Sequence, residues 1–228
     1  MGDMITYDID GTEVEAYLAR PDGGGPGVVV VQEWWGLVDH IKRVCDRLAD
    51  AGFVAIAPDL YHGEQTTAPD EAKRLMLSLQ VDRAARELGG SIDVLLADDD
   101  VRGDTVGVTG FCLGGGLTYV LAIARADVVG AIAPFYGVIP WPDAAPDYSE
   151  VTAPVQGHYA EHDHTITIDG IGELEATLRS ANDHVEWFVY DGCHHGFFND
   201  TRPDVHDAEQ AALAFDRLTT FLHDALGS

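Results

Sequence analysis

Residues 110–115 read Gly110-Phe111-Cys112-Leu113-Gly114-Gly115, and this short stretch decides the fold. A β-prone run, residues 105–109, leads into it, and an apolar run compatible with a helix, residues 117–125, leads out. A strand that turns sharply into a helix favours glycine at its tight positions, because glycine adopts unusual backbone angles at little cost. The stretch therefore predicts a strand–turn–helix unit with the Cys112 thiol at the turn.

This arrangement is typical of the nucleophile elbow G-x-S-x-G, here with cysteine where serine usually stands. Such a turn lifts the Cys112 sulfur above the sheet. It also directs the Leu113 amide into the site at the start of a helix, where negative charge is stabilised. Because short motifs also occur by chance, a buried cysteine beside a glycine-rich bend is the alternative interpretation.

Strands and helices alternate along most of the chain. Apolar or β-prone runs predict strands at residues 13–19, 28–31, 53–57, 128–135, 154–159 and 185–190. Periodic patterns predict helices at residues 39–51, 69–88, 91–97, 171–181 and 204–226, with a break within the second stretch as an alternative, near Val81. The alternation predicts a single α/β domain over residues 1–228, with a mostly parallel central sheet and helices on both faces. Residues 138–148 contain three prolines and are expected to form an irregular rim or partial lid.

The chain is strongly acidic, with 39 acidic against 13 basic residues and a formal net charge of −26. Such a surface repels nucleic acids and anionic membranes, so neither is an expected partner. The acidic residues are dispersed through segments that otherwise look folded, and Lys42 and Lys73 are the only lysines. This pattern predicts a halophilic protein from an acidic proteome, the alternative being an acidic protein adapted to ordinary salt.

The cysteines and the N-terminus indicate a cytoplasmic location. Cys45, Cys112 and Cys193 form an odd set without paired spacing, which argues against a disulfide scaffold and suits a reducing compartment. Residues 1–5 have neither a basic flank nor an apolar core, so no signal peptide is expected. No apolar run is long enough to cross a bilayer. A monomer or small homo-oligomer is expected.

A nucleophilic thiol needs a base, and the base needs a group that orients it. Asp163 follows one predicted strand and His195 follows the next, which gives the chain order nucleophile, acid, histidine. Glu161 competes with Asp163 for the role of the acid, and His194 competes with His195. We favour His195 because the small Gly196 after it leaves room at the site.

The same region is rich in residues that bind metals. It contains His158, His162, His164, Cys193, His194 and His195. The first two are four residues apart but lie in a predicted strand-to-loop segment, and no convincing third ligand accompanies them. Neither a metal ion nor another cofactor is expected.

The loop after the first buried strand, residues 32–36, matches in position the loop that supplies the second oxyanion donor in this kind of fold. Glu33 is unusual in such a loop, because a carboxylate near a thiol would hold it protonated or, after moving, would deprotonate it. The alternative for Glu33 is an exposed or salt-bridged carboxylate next to packed tryptophans.

Five segments carry a family resemblance: Gln32-Glu33 with Gly36, Pro58-Asp59-Leu60-Tyr61, residues 110–115, Asp163, and His195-Gly196-Phe197. Together, and in this order, they resemble the dienelactone hydrolase family, also called carboxymethylenebutenolidases. The resemblance implies a single α/β-hydrolase domain, usually without a cofactor. It implies a triad of Cys112, His195 and Asp163 and an oxyanion hole made by the Leu113 and Trp34 amides. It also implies that Glu33 partners the resting thiol and moves when substrate binds.

The expected substrate is a small lactone or ester. Family members bind a substrate carboxylate with arginines, one just after the catalytic histidine and one on the helix after Asp-Leu-Tyr. Here Arg202 lies further on than the first, and Arg74 or Arg83 would have to serve as the second. This departure favours a general lactone or ester over dienelactone itself.

Trp35, Tyr61, Phe197 and Arg74 are candidate substrate contacts. Two other kinds of protein stay open at this point. One is a binding protein that uses the hydrolase fold without catalysis. The other is a redox protein that links Cys112 to Cys193.

Overall fold

The computed structural model describes residues 1–227, in which eight strands pair in one sheet. In chain order they are β1 (Asp3–Ile9), β2 (Thr12–Ala19), β3 (Gly25–Val31), β4 (Val54–Pro58), β5 (Val101–Phe111), β6 (Val129–Phe135), β7 (Val155–His162) and β8 (Val185–His194). Their spatial order is β1-β2-β4-β3-β5-β6-β7-β8. Strands β3 to β8 pair in parallel, whereas β2 pairs antiparallel to both β1 and β4. The predicted α/β class with a mostly parallel sheet is confirmed.

Six α-helices accompany the strands: α1 (Asp39–Asp50), α2 (Pro69–Ser78), α3 (Val81–Leu96), α4 (Leu113–Ala124), α5 (Ile168–Ala181) and α6 (Ala208–Leu226). The break that the sequence suggested near Val81 lies at residues 79–80, between α2 and α3, because Leu79 and Gln80 are extended and Leu79 is buried. The last helix begins four residues later than predicted, since the Asp207 side chain caps it by accepting from the Gln210 amide at 3.0 Å.

Helices cover both faces of the sheet. One face packs against α3, α4 and α5, and the other against α1 and α6. Residues 28–31 of β3 are completely buried, as a continuous apolar run predicts for a strand covered on both sides. No helix within residues 1–227 is both long and apolar enough to cross a membrane.

The carboxyl ends of the parallel strands meet at one edge of the sheet. The loop after β3 carries Glu33, the turn after β5 carries Cys112, and β7 ends just before Asp163. His195 directly follows β8 in the same way. Because ligands of open α/β sheets bind beyond the carboxyl ends of the strands, this edge is the place to look for a site.

Candidate active site

Cys112 occupies a strained turn between β5 and α4. Its φ of 55° and ψ of −120° lie in a region that L-residues rarely adopt. Such strain costs about 1–3 kcal/mol and persists only where the surroundings impose it. The Cys112 amide donates to the Phe135 carbonyl at 3.0 Å, which ties the turn to the end of β6. The side chain is partly exposed, unlike those of the other two cysteines.

Glycines allow three backbone segments to meet around this turn. A Cβ atom on Gly114 would lie 2.4 Å from the carbonyl oxygens of both Val31 and Gln32, so only glycine lets α4 begin against the end of β3. A Cβ atom on Gly137 would lie 2.1 Å from the Cys112 carbonyl oxygen. The strained geometry of the turn is therefore fixed by backbone on both sides.

The close packing of Gly114 against the end of β3 also brings together the segments that carry the two candidate oxyanion donors. Leu113 begins α4, and Trp34 belongs to the loop that follows β3. Neither amide donates a hydrogen bond to another group within residues 1–227. Two amides without acceptors, on segments that pack against each other beside a thiol, can stabilise a developing negative charge on a carbonyl oxygen.

His195 and Asp163 are in direct contact. His195 Nδ1 lies 2.7 Å from Asp163 Oδ2, and the Asp163 carboxylate is fully buried. Its other oxygen accepts from the Thr165 hydroxyl and amide, each at 2.7 Å, and from the Ile166 amide at 3.2 Å. The Thr165 hydroxyl also lies 3.0 Å from His195 Nδ1. One carboxylate oxygen is thus held by its own loop and the other orients the imidazole.

The two rival residues lie outside this pair. Glu161 accepts from the Gly192 amide at 2.8 Å and lies 3.6 Å from His162. The ring of His194 faces His162, with 5.5 Å between the ring centroids. The geometry therefore brings together Asp163 and His195 rather than either rival.

The electrostatics of the pair favour a charged imidazole. Burial lowers the pKa of His195, but the charges of Cys112 and Asp163 and their hydrogen bonds raise it to about 10. Burial raises the pKa of Asp163, and bonding to His195 and Thr165 brings it below its ordinary value. The other ring nitrogen, Nε2, is buried, and Cys112 lies near enough to the imidazole to raise its pKa.

Glu33 is buried and engaged by two neutral donors. Asn199 Nδ2 donates to Glu33 Oε2 at 2.6 Å, and the Tyr136 hydroxyl donates to Oε1 at 3.4 Å. Tyr136 has a φ of 38°, and its ring lies 5.0 Å from that of His195. Burial, followed by the charges of Glu33 and Cys112, raises its pKa well above the ordinary value. Tyr136 therefore touches both the carboxylate and the imidazole.

The candidate substrate contacts differ in accessibility. Trp35 and Tyr61 are mostly buried, and the Tyr61 hydroxyl has no hydrogen-bond partner within residues 1–227. Burial and the charge of Cys112 raise the pKa of Tyr61. Phe197 is completely buried beneath Tyr136 and offers no surface to a ligand. Arg74 is exposed and bonded to Glu64 and Glu71.

Three residues that sequence reasoning did not assign to the site belong to it. Arg202 lies over the Trp35 ring, at 5.7 Å from its centroid, and bonding to Asp204 followed by the charges of Glu33 and Cys112 raises its pKa. Thr165 could have been found from the sequence, because Asp163-His164-Thr165 favours a turn in which the aspartate side chain bonds the backbone two residues on. Tyr136 directly follows a predicted apolar strand, and that position was its only signal.

Within residues 1–227 no group of three or more His, Cys, Asp or Glu side chains is placed to hold a metal ion. One member of the histidine-rich region, His158, is instead buried between the Tyr190 hydroxyl at 2.8 Å and Gln156 Oε1 at 3.0 Å. Cys193 is buried as well, and burial with the nearby Asp207 and Asp191 raises its pKa to about 11.

Comparisons with known proteins agree with one another. The sequence model of the "Dienelactone hydrolase family" matches residues 14–226. The chain is 35% identical to "Protein usf" of Aquifex pyrophilus, over 99% of this chain and all of that protein. It is 34% identical to the "Putative carboxymethylenebutenolidase" of Aquifex aeolicus, over 97% of each. A crystal structure titled "Putative Dienelactone Hydrolase from Klebsiella pneumoniae" superposes with a TM-score of 0.88 at 29% identity, over 97% of this chain and 98% of that one.

Proposed function

The chain belongs to the dienelactone hydrolase family and is an ester or lactone hydrolase, and from that premise we propose that Cys112 is its nucleophile. His195 moves the proton and Asp163 orients His195. The substrate is a small lactone or ester. The observation that supports this proposal most strongly is the position of His195. Asp163 holds one of its ring nitrogens, and the other is buried beside Cys112.

The first half of the reaction forms a thioester. The Cys112 thiolate attacks the carbonyl carbon, and the carbonyl electron pair moves to the oxygen, where the Leu113 and Trp34 amides bind it. Collapse of this intermediate breaks the carbon–oxygen bond. The departing alkoxide takes the proton of the His195 imidazolium, the form that its raised pKa favours at neutral pH.

The second half returns the enzyme to its resting state. Neutral His195 takes a proton from water as the water attacks the thioester carbonyl, and the same two amides bind the oxyanion. Collapse then expels the thiolate and releases the acid. In a lactone the leaving hydroxyl remains attached to the acyl group and close to the thioester, where it helps to activate the water. For this reason we favour lactones over amides or peptides.

The role that we propose for Glu33 comes from the family resemblance, in which this acid partners the resting thiol. In the structure its carboxylate accepts hydrogen bonds from Asn199 and Tyr136. To move when substrate binds, it must leave both donors, and leaving them unpaired in a buried site costs free energy. Movement of Glu33 on substrate binding therefore requires that these two hydrogen bonds break.

The decisive experiment replaces the sulfur. Cys112→Ala should abolish turnover of a para-nitrophenyl ester, a loss of about 10³-fold or more in kcat. Cys193→Ala removes a buried thiol two residues before His195 and serves as the matched control, with near-normal kcat expected. Near-normal turnover in Cys112→Ala would refute the assignment of the nucleophile.

Thiol labelling tests the two alternatives. An enzyme of this kind reacts with a thiol-directed ester probe at Cys112 in preference to Cys45 and Cys193, and His195→Ala loses the reaction. A binding protein without catalysis has no reason to show such selectivity. The redox alternative requires a disulfide between Cys112 and Cys193, but Cys193 is buried with a raised pKa.

Two further proposals concern the surface. Residues 138–148, which include the short turn Pro142–Ala144, are proposed to form the rim of the site. The dispersed acidic surface is proposed to adapt the protein to concentrated salt, since salt screens its self-repulsion. Unfolding measured against KCl concentration tests the second proposal, and full stability in salt-free buffer would contradict it.

A further inference from the structure

Two hydrogen bonds hold the Glu33 side chain within the site. The orientation of the Asn199 amide that bonds it is set, because Asn199 Oδ1 accepts from the Thr201 amide at 2.9 Å and hydroxyl at 2.6 Å. Asn199 Nδ2 must therefore be the group that donates to Glu33, and the Tyr136 hydroxyl donates to the other oxygen. Both oxygens of the Glu33 side chain are therefore used as acceptors, the pattern of a carboxylate.

The cation that faces this anion is already occupied. Arg202 lies over the Trp35 ring, next to the candidate oxyanion donor Trp34. Its Nε and Nη2 atoms donate to the two oxygens of Asp204 at 3.1 and 2.7 Å. This two-pronged contact uses one of the edges by which a guanidinium binds a carboxylate in a bidentate way, and it neutralises the charge of Arg202. An anionic ligand must therefore compete with Asp204 to bind Arg202.

Arg74 and Arg83, the two other arginines considered as carboxylate-binding groups, also have acidic partners. Arg74 donates to Glu71 at 2.8 Å and to Glu64 at 2.6 Å. Arg83 lies 3.5 Å from the buried carboxylate of Glu87. The net charge of −26 adds a long-range field of the same sign. A second carboxylate brought by a substrate would meet repulsion, and each of these three arginines already has an acidic partner.

Building on the proposed function, we propose that this site selects esters or lactones whose acyl group is uncharged, and that Asp204 determines this selectivity by occupying Arg202. Rejection of an anionic acyl group then has two sources, repulsion by Glu33 and loss of the guanidinium. A partly exposed charge pair changes affinity only modestly, so a discrimination of about tenfold is expected, which is about 1.4 kcal/mol.

A matched pair of substrates tests the selectivity. The para-nitrophenyl ester of hexanoic acid and the mono-para-nitrophenyl ester of adipic acid have the same leaving group and chain length, and only the second carries a terminal carboxylate. We expect the purified enzyme to show a kcat/KM about tenfold higher for the hexanoate at the lowest salt that keeps it folded. A kcat/KM for the adipate ester that equals or exceeds that for the hexanoate would overturn the inference.

A variant pair tests the role of Asp204. Asp204→Asn frees Arg202 and should raise kcat/KM for the adipate ester about threefold to tenfold while leaving the hexanoate value unchanged. Glu175→Gln removes one negative charge from an exposed pair with Arg179 on α5, and it controls for net charge. Equal effects of the two variants on the substrate ratio would overturn the assignment to Asp204.

An alkylation assay separates this inference from the proposed function. Neutral iodoacetamide and anionic iodoacetate both react with the Cys112 thiolate without requiring turnover. Asp204→Asn should raise the iodoacetate rate relative to the iodoacetamide rate, and Glu175→Gln should not. If neither ester is turned over faster than by Cys112→Ala, the proposed function fails, and the alkylation ratio still decides the inference: an unchanged ratio in Asp204→Asn overturns it.

Discussion

Two buried histidines from neighbouring strands of the same sheet have opposite charge preferences. His158, within β7, is completely buried, and burial followed by the charge of Arg217 lowers its pKa to about 3. His195, directly after β8, is also largely buried, yet its pKa is raised to about 10. The first imidazole is held neutral across the physiological range, and the second is held as a cation.

The difference lies in the partners. The ring nitrogens of His158 meet a hydroxyl and an amide oxygen, and its face stacks on Phe135 with 4.2 Å between the centroids. Neither partner carries a charge, so nothing offsets the cost of burying an imidazolium. His195 meets the Asp163 carboxylate and the Cys112 sulfur. Burial penalises the cation in both places, and only anionic partners reverse the outcome.

The largest expected effect is on catalysis, where substitution of His195 and of His158 should have very different consequences. His195→Gln should lower kcat/KM for a para-nitrophenyl ester by about 10³-fold or more, because the variant can neither ionise the thiol nor protonate the leaving group. His158→Gln should change kcat per folded molecule by less than about threefold. Steady-state kinetics on both variants, with the folded fraction measured separately, checks this. A comparable loss in His158→Gln would mean that both imidazoles serve the reaction.

The second prediction makes the surroundings of His195 resemble those of His158. Asp163→Asn replaces the carboxylate by a neutral amide of the same shape, so the pKa of His195 should fall. We expect kcat to drop about 10²- to 10⁴-fold, because the imidazole loses both its orientation and its charge stabilisation. The pH dependence of kcat/KM reports the fall in pKa. Glu161→Gln, which neutralises the rival acid, is the control and should leave the profile unchanged.

Much of this site follows from the sequence because its parts lie at strand ends. Cys112 stands in a glycine-rich turn between a strand and a helix, and Asp163 and His195 each follow a predicted strand, so the parallel sheet brings them to one edge. The family resemblance added the expectations for Glu33 and the oxyanion amides.

The roles of neighbouring residues could not be predicted in this way. His158 and His162 are indistinguishable by composition, and only the tertiary packing places one between Gln156 and Tyr190 and leaves the other exposed. Asn199 reaches Glu33 across 166 residues of sequence, a contact that no local pattern encodes. Phe197 fell within a motif and was expected to contact substrate, but it packs beneath Tyr136 instead.

The third prediction concerns stability at neutral pH. His158→Leu leaves the Tyr190 hydroxyl and the Gln156 amide oxygen without their buried partner, which should lower the free energy of unfolding by about 2–4 kcal/mol. Tyr190→Phe removes only one of these bonds and should cost about 1 kcal/mol. Urea unfolding followed by circular dichroism measures both. A His158→Leu variant as stable as the unmodified protein would show that the two hydrogen bonds contribute little.

The fourth prediction concerns a difference in pH dependence, which is small for each unit of pH. Between pH 6.5 and the lowered pKa of about 3, the unfolded chain binds a proton at His158 and the folded chain does not. Stability therefore falls as the pH drops through this window, by at most about 1.4 kcal/mol for each unit. His195 has the opposite sign, since its contribution is complete below pH 6.5 and is lost as the pH rises through about 10.

Variants at the two histidines therefore respond differently on the acid side. His158→Gln should flatten the loss of stability between pH 6.5 and about 4.5, because the titrating group is gone and glutamine can still donate a hydrogen bond. His195→Gln should leave this limb unchanged, because His195 is protonated there in both the folded and the unfolded chain. Urea unfolding across the range measures both slopes. If His195→Gln flattened the acid limb as much as His158→Gln, the charge states assigned to the two imidazoles would be wrong, since only an imidazole that is neutral when folded can produce that slope between pH 6.5 and about 4.5.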